Sequence, residues 1–314
     1  MIRFFWKWAK RFAAVFLVLC LAAGMYAGNR MYEGLLESPW DQILGIKNQT
    51  GQLARIHEIE RRAGWEPAEV TAGDGTVLAG TYVPRERPSH YTVVLVHGLY
   101  SNRAMCESLV PLYQALDYNV LLIDLRGHGE SGGRHTLWGM KETGDFAAWK
   151  AWLLAKDPEM RIGVHGVSLG AAMAILWSGS ESGRDLRFCI ADSSYADLFS
   201  LGREKLFRWT GDERLLLAMD ALNPFFQAAM FLHSGCVLSD IDPLSAAGRM
   251  RAPALFLHGA DDTLIPPDSA EKLGGACASR RKAVRIFEGA GHAREFAENP
   301  EAYTRIVQDF IRGE

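Results

Sequence analysis

The string Gly166-Val167-Ser168-Leu169-Gly170 holds one serine between two glycines, after an apolar run and before the small-residue stretch AAMAIL. Strand, tight turn and helix form the setting in which a G-x-S-x-G motif exposes a nucleophilic serine. The glycines allow a steep turn, and the positive end of the following helix stabilises negative charge that develops nearby. The pattern predicts that Ser168 is a nucleophile, with a helix N-cap serine as the purely structural alternative.

A serine hydroxyl is a weak nucleophile until a base takes its proton, so a histidine is required. Nine histidines are available, and His292 stands in the string EGAGHA, a glycine-rich turn after the last apolar run. His165 lies inside the run before Ser168, where a packing role is expected. The chain order of serine, acid and histidine also favours His292 as the base.

The third group must orient the imidazole and stabilise its charged form. Two adjacent carboxylates, Asp261 and Asp262, follow the penultimate apolar run in the string HGADDTLIP. Neighbouring side chains point in different directions, so only one of them can do this, and the residues alone leave the choice open. Paired acids also suggest a cation site, but the further ligands are not evident, so no metal or organic cofactor is predicted.

The segments that would carry these groups alternate between strand and helix from about residue 67. A Gly-Asp-Gly turn at 73–75 predicts a hairpin. Continuous apolar runs predict strands buried on both faces at 92–98, 119–125, 161–167, 186–192, 252–259 and 282–289. Helical patterns occur at 103–117, at 141–157, from 168, at 267–279 and at 299–312. This alternation predicts an α/β fold with a mostly parallel sheet covered by helices on both faces.

The interval between Asp192 and Pro253 breaks this rhythm, because about sixty residues there contain no convincing strand. They predict three helices, the last of them opened by Pro224 at its first turn. Such an insertion between parallel strands is expected to form a helical cap, at about 194–250. Apolar side chains of this cap are candidates for an acyl pocket, and simple packing of the cap is the alternative. They are Phe225, Phe226, Met230, Phe231 and Leu232.

Residues 1–30 carry five basic side chains and no acid, whereas residues 31–314 carry 29 basic and 37 acidic ones. The seventeen uncharged residues from Phe12 to Gly28 meet the lower limit of the ~17–25 that a membrane-spanning helix needs. A single-pass anchor with its basic cluster inside leaves the N-terminus cytoplasmic and the remaining chain outside. A signal peptide cleaved near Ala23 is the alternative, and the protein would then be secreted. A polar, helical connector is expected at 31–66, before one domain at 67–314.

The whole chain of 314 residues has a net charge of −3, and the body beyond the N-terminal segment has no basic footprint. This composition argues against a nucleic-acid partner. The loop 127–132 matches G-x-G-x-x-G, but no helix opens directly after it, so a dinucleotide site is not predicted.

Five strings, VHGLYSN, DLRGHGESGG, GVSLG, HGADDTLIP and GAGHA, occur in this order and together resemble the α/β-hydrolase superfamily over about residues 67–314. The likeness is nearest to bacterial membrane-anchored members of the serine aminopeptidase and monoglyceride-lipase-like group. It implies the α/β-hydrolase fold with a helical cap, and it implies that Asp262 is the triad acid. It also implies an oxyanion hole made by the backbone amides of Leu99 and Leu169, with Tyr100 as a further wall of the pocket.

Together these residues predict a serine hydrolase that cleaves carboxylic esters through an acyl-enzyme, with Ser168, His292 and Asp262 as its triad. A membrane anchor beside an apolar cap favours lipid or other acyl esters as substrates. An aminopeptidase-like activity is the alternative, and it needs an acid for the substrate ammonium group. Three cap acids are candidates for that role: Glu204, Asp212 and Asp220. A non-catalytic protein that binds a small molecule in the same pocket is the third possibility, and the oligomeric state is left open.

Overall fold

The computed structural model describes residues 2–44 and 53–313. Contacts within the chain group these residues into two units. One, called the helical unit below, consists of Met1–Ser38 and Gly202–Leu238. The other, called the sheet unit, consists of Pro39–Leu201 and Ser239–Glu314.

The sheet unit is built on an eight-stranded sheet. Its strands are β1 (Glu66–Thr71), β2 (Val77–Val83), β3 (Tyr91–Val96), β4 (Asn119–Ile123), β5 (Arg161–Val167), β6 (Cys189–Asp192), β7 (Ala254–Gly259) and β8 (Lys282–Phe287). They lie in the order β1-β2-β4-β3-β5-β6-β7-β8. The pairs of β2 with β1 and with β4 are antiparallel, and all other pairs are parallel. The predicted mostly parallel α/β fold is thereby confirmed.

The helices follow the predicted alternation with the strands. In chain order they are α1 (Ile2–Glu37), α2 (Trp40–Leu44), α3 (Leu53–Ala63), α4 (Val110–Gln114), α5 (Glu142–Lys156), α6 (Leu169–Ser178), α7 (Leu198–Thr210), α8 (Glu213–Ser234), α9 (Pro243–Ala247), α10 (Asp268–Ala276), α11 (Glu295–Glu298) and α12 (Pro300–Arg312). Within residues 2–44 and 53–313 there are also two 3-10 helices, at Arg103–Leu109 and Leu238–Asp240.

The central strands are apolar along their whole length because both faces of the sheet are covered. Every residue of β4, β6 and β7 is buried. Parallel registers pair Val96 of β3 with Gly166 of β5, and Val167 of β5 with Asp192 of β6. The carboxyl ends of three strands therefore meet at one edge of the sheet, where ligands bind in open α/β folds.

Two local predictions were wrong. The helix expected at 103–117 is a 3-10 helix followed by the short α4, and Pro111 stands at the start of α4. Pro224 does not open a separate helix but lies inside the 22-residue α8. The lost backbone hydrogen bond is tolerated because α8 packs beyond the proline, where Phe226, Ala229 and Met230 are buried.

The helical unit contains two helices that are long and apolar enough to cross a membrane, judged by length and composition alone. One extends from Trp8 to Glu37 within α1, and the other is α8. The apolar N-terminal segment is thus compatible with an anchor or a signal sequence, and it continues as one helix to Glu37.

Candidate active site

Ser168 stands at a sharp turn between β5 and α6. Its backbone has φ 56° and ψ −117°, a region that residues other than glycine rarely adopt. A β-carbon added at Gly166 would lie 2.0 Å from the Gly170 carbonyl oxygen, and one at Gly170 would lie 2.2 Å from that of Val96. Both motif glycines are therefore required by close backbone contact, and the turn they permit presents the serine at the strand end.

His292 follows β8 and reaches back to the serine. Its Nε2 lies 2.8 Å from Ser168 Oγ, and its Nδ1 lies 2.7 Å from Asp262 Oδ2. Because the carboxylate can only accept, the Nδ1 position carries the hydrogen and Nε2 is left to accept the serine proton. The structure brings together the three residues expected from the sequence, and the histidine has the tautomer that a general base needs.

Asp262 is buried, whereas its neighbour Asp261 is exposed. Burial on its own would raise the pKa of Asp262, but hydrogen bonds from His258 and His292 outweigh it and hold this pKa well below its usual range. The backbone amides of Leu264 and Ile265 each donate to Oδ1 at 2.8 Å. The carboxylate is therefore an anion at neutral pH that can stabilise a charged His292.

His258 is the donor beside this acid that the sequence did not single out. Its Nε2 lies 3.0 Å from Asp262 Oδ2 and 3.1 Å from the Ile265 carbonyl oxygen. Both partners are acceptors, so Nε2 donates to them. The only sequence signal was the H-G pair at the end of a strand, which does not reveal where the ring points.

The loop that carries His292 is hydrogen-bonded to Ser193, which follows β6. Ala293 has a φ of 55°, and its amide donates to Ser193 Oγ at 3.1 Å. That hydroxyl lies 2.6 Å from Glu295 Oε1, so it donates to the buried carboxyl. No sequence pattern pointed to Ser193 or Glu295, because they are 102 positions apart and meet only in the fold.

A second buried network adjoins this serine and contains Asp192. Tyr303 donates from its hydroxyl to Asp192 Oδ2 at 2.7 Å and lies 2.9 Å from His165 Nε2. Burial, and next the charge of Glu295, raise the pKa of Asp192 well above its usual value. Burial lowers the pKa of His165 to about 3, so this ring is neutral and serves packing, as its position in β5 suggested.

Two segments of the chain lie beside the serine: the start of α6 and the turn at Gly98. Leu169 is the first residue of α6, where an amide has no acceptor within the helix. A β-carbon added at Gly98 would lie 3.3 Å from the Ser168 β-carbon, so the chain entering Leu99 runs beside the serine. Tyr100 has a φ of 53°, and its hydroxyl accepts a hydrogen bond from the Trp40 amide at 3.1 Å. Leu169 directly follows the serine and Gly98 contacts it, so the segments expected to carry the oxyanion amides both lie beside Ser168.

The glycine loop at 127–133 wraps a buried ion pair. Asp124 accepts the amides of Arg103 at 2.6 Å and Glu130 at 2.9 Å, and its carboxylate pairs with the Arg103 guanidinium. A β-carbon added at Gly129 would lie 2.2 Å from Asp124 Oδ2. The glycines leave room for a carboxylate of the protein itself, which fits a structural loop and not a dinucleotide site.

The cap residues proposed for an acyl pocket belong to the helical unit. Phe226 and Met230 are buried in it, and the Phe225 ring lies against Gly24 of α1. The cap acids proposed for an ammonium subsite have partners of their own. Asp220 pairs with Arg203, Glu204 lies 2.6 Å from Arg208, and Asp212 caps α8 through the Arg214 amide.

Residues 93–306 match the family model described as "Alpha/beta hydrolase family". The chain is 31% identical over 270 residues to the uncharacterized protein YqkD of Bacillus subtilis (strain 168), with 85% of each chain covered. It is also similar to two solved esterases. The Pf2001 esterase of Pyrococcus furiosus is 26% identical with a TM-score of 0.62, over 79% of this chain and 90% of that one. The esterase RhEst1 from Rhodococcus sp. ECU1013 shares the fold, at 17% identity with a TM-score of 0.56, over 78% of this chain and 98% of that one.

The match over residues 93–306 covers most of the sheet unit, and more than half of the whole chain. On these grounds the chain belongs to the alpha/beta hydrolase family.

Proposed function

We propose that this protein is a serine hydrolase that cleaves carboxylic esters through an acyl-enzyme. The unbroken hydrogen-bonded chain from Ser168 through His292 to Asp262 carries the proposal. At one end of this chain the lowered pKa of Asp262 keeps its carboxylate charged, so that it can stabilise a protonated His292. At the other end the strained turn presents the Ser168 hydroxyl as a nucleophile.

In the proposed mechanism Ser168 Oγ attacks the ester carbonyl carbon while His292 Nε2 takes the serine proton. The amides of Leu99 and Leu169 hold the oxyanion, and His292 then gives the proton to the departing alcohol. Water attacks the acyl-enzyme, His292 accepts the proton of that water, and the proton returns to Ser168 as the acid is released. Asp262 stays ionised throughout and stabilises the imidazolium.

The substrate class we propose is an acyl ester of low water solubility, such as a lipid ester. The apolar α1 and α8 support it, since both are candidates for membrane contact. A protein held at a membrane by such helices lies where lipid esters are concentrated. The likeness of the five motifs to monoglyceride-lipase-like hydrolases agrees with this class, and Tyr100, Phe225, Phe226 and Met230 stay candidates for contact with the acyl chain.

An aminopeptidase is the less favoured activity. It requires an unpaired acid to bind the substrate ammonium group, and the three cap acids considered for it are already engaged by arginines or by a helix terminus. A non-catalytic binder is disfavoured because it would not need a strained serine that donates to a histidine.

We further propose that α1 is retained as a single-pass anchor, with the N-terminus cytoplasmic and the sheet unit outside. The basic residues before Phe12 support this orientation. The intact mass of the protein purified from membranes tests it, because cleavage after Ala23 would remove the first 23 residues.

Labelling with a fluorophosphonate probe tests the hydrolase proposal. Wild type should label, and Ser168→Ala should not. Ser178→Ala on the same helix is the matched control, since its buried hydroxyl has no hydrogen-bond partner among the described residues. Equal labelling of wild type and Ser168→Ala would contradict the proposal. A panel of p-nitrophenyl esters and aminoacyl amides then separates esterase from peptidase.

A further inference from the structure

Two glycines one helical turn apart form a contact surface on α1. Gly24 and Gly28 are buried, whereas Ala22 and Ala23 are exposed. A β-carbon added at Gly28 would lie 2.4 Å from the Phe225 backbone carbonyl, and one at Gly24 would lie 2.5 Å from the Phe225 ring. The Gly-x-x-x-Gly spacing thus lets the backbones of α1 and α8 approach closely, as it does between helices in membranes.

Polar groups continue this contact where the apolar stretch of α1 ends. His233 Nε2 of α8 lies 2.6 Å from Asn29 Oδ1, and its ring stacks on Tyr32 with centroids 4.9 Å apart. The contacts occur in the same order along both helices, so α1 and α8 run in the same direction.

Apolar side chains remain exposed on both helices of this pair. Leu217 and Leu232 of α8 are 69% and 73% exposed, and Leu17 of α1 is 58% exposed. Further exposed apolar side chains of the helical unit are Phe12, Val18, Leu19, Phe207, Trp209 and Phe231. Large apolar side chains exposed in such number on one pair of helices mark a site of contact with a membrane or a partner.

The charges of the pair favour a membrane over a protein partner. No acid precedes Glu33, and five basic residues lie in the first thirty positions, which complements anionic lipid head groups. Within the apolar stretch of α8, the acid Asp220 is paired with Arg203. Pairing of this kind is how ionisable groups are accommodated at membrane depth.

We propose that α1 and α8 form one lipid-embedded helix pair, joined at Gly24 and Gly28, whose outer apolar face contacts the acyl chains of an anionic bilayer. The insertion between β6 and β7 is then held in the membrane by the anchor. This inference rests on the proposed retention of α1 and is independent of catalysis.

The full-length protein in phosphatidylcholine and phosphatidylglycerol vesicles tests this pairing. Single cysteines at Leu217 and Leu232 carry an environment-sensitive fluorophore, in a background with Cys20→Ser and Cys236→Ser, since the other three cysteines are buried. Lipids with a nitroxide on the acyl chain should remove most of the fluorescence at both positions. A label at the exposed Glu159 of the sheet unit is the control, and its fluorescence should not change.

A label at Leu17 of α1 distinguishes the membrane anchor itself from the lipid contact proposed for α8. Quenching at Leu17 without quenching at Leu217 and Leu232 would leave the anchor in place and overturn the inference. Quenching at none of the three would overturn both. Energy transfer between labelled copies, with no quenching by lipid, would show that a second copy covers the face and would also overturn it.

Gly28→Leu tests the joint itself, because the added side chain meets backbone that cannot yield. We expect quenching at Leu217 and Leu232 to be lost, while Ala22→Leu on the exposed side preserves it. Limited proteolysis beside wild type reports whether the sheet unit of each variant is folded, whatever the outcome for catalysis. Full quenching in Gly28→Leu would show that the glycines do not hold α8, and would overturn the proposed pairing.

Discussion

Two buried aspartates lie at the ends of neighbouring strands and have opposite tendencies to ionise. Asp192 ends β6, and Asp262 follows β7 by three residues. The pKa of Asp262 is held below its usual range, whereas that of Asp192 is raised well above it. Both side chains are shielded from water, so burial alone does not explain the difference.

The difference lies in the donors and charges around each carboxyl. Asp262 accepts two backbone amides and the rings of His258 and His292. Asp192 has the Tyr303 hydroxyl at 2.7 Å and the Ser193 hydroxyl at 3.3 Å, and it lies beside the carboxyl of Glu295. Four donors stabilise an anion, while a neighbouring carboxyl favours the protonated form. One acid is suited to stabilise charge in a reaction, and the other to brace the fold while neutral.

The largest effect is expected on ester hydrolysis, which should depend strongly on Asp262 and only weakly on Asp192. Asp262→Asn should lower kcat/KM for a p-nitrophenyl ester by about 10⁴, because an amide no longer fixes the His292 tautomer or stabilises its charge. Asp192→Asn keeps a neutral, hydrogen-bonding group and should remain within about tenfold of wild type. Equal losses in both variants would show that the distinction between a charged and a neutral acid is wrong.

A smaller effect is expected where the buried network around Asp192 contacts the loop that carries His292. Glu295→Ala removes the acceptor of Ser193, which holds the amide of Ala293, so His292 should be less well positioned. Misplacement of a catalytic group by about 1 Å can cost ~10²-fold, and we expect a fall of up to that size in kcat with KM little changed.

Glu295→Gln is the matched control for this prediction, because its amide oxygen can still accept from Ser193. It should restore most of kcat, which a general loss of packing would not allow. If Gln is as damaging as Ala, the hydrogen bond to Ser193 is not what positions the loop.

The sequence was sufficient for most of the central strands and for the choice of Ser168 and His292, whereas Asp262 was preferred to Asp261 only because of the family resemblance. Fully buried strands are continuous apolar runs, so β3, β4, β5 and β7 were predicted to within two residues at each end. Ser168 and His292 lie in short strings whose glycines are required locally. These features depend on a few consecutive residues, and for this reason they can be read from the chain.

Features that depend on distant residues were not predictable in this way. Ser193 and Glu295 meet across 102 positions, and no local pattern marks either of them. Pro224 suggested a helix start, but packing of the following residues keeps α8 continuous. Gly24 and Gly28 had a visible spacing, yet only the fold shows that α8 occupies the surface they form.

The pH dependence of unfolding should show that the His165 ring, which is joined to Asp192 through Tyr303, is neutral in the folded protein. The pKa of His165 falls from 6.5 to about 3 on folding, because the ring is buried. Its contribution to stability is therefore complete above pH 6.5 and is lost as the pH falls towards 3. His97 has the same shift, so both rings take up a proton when the chain unfolds in this range.

His165→Gln should lower the dependence of the unfolding free energy on pH by about one proton between these limits, whatever its effect on stability at neutral pH. Urea unfolding at a series of pH values measures this slope. An unchanged slope would mean that His165 is already charged in the folded protein.

The last prediction concerns Asp192, whose ionisation should lower the stability of the fold as the pH rises. The pKa of Asp192 is raised on folding from an ordinary value of 3.8, so its contribution is complete below that pH and is lost as the pH rises through the raised value. Glu295, Tyr303 and Ser193 face this carboxyl, and the neutral His165 lies beyond Tyr303, so none of these groups is a cation that would offset its charge. Asp192→Asn cannot ionise, so its stability relative to wild type should improve steadily between pH 5 and pH 8 in urea titrations. Parallel curves for the two proteins would show that Asp192 is charged in the fold, and the contrast with Asp262 would then rest on position and not on protonation.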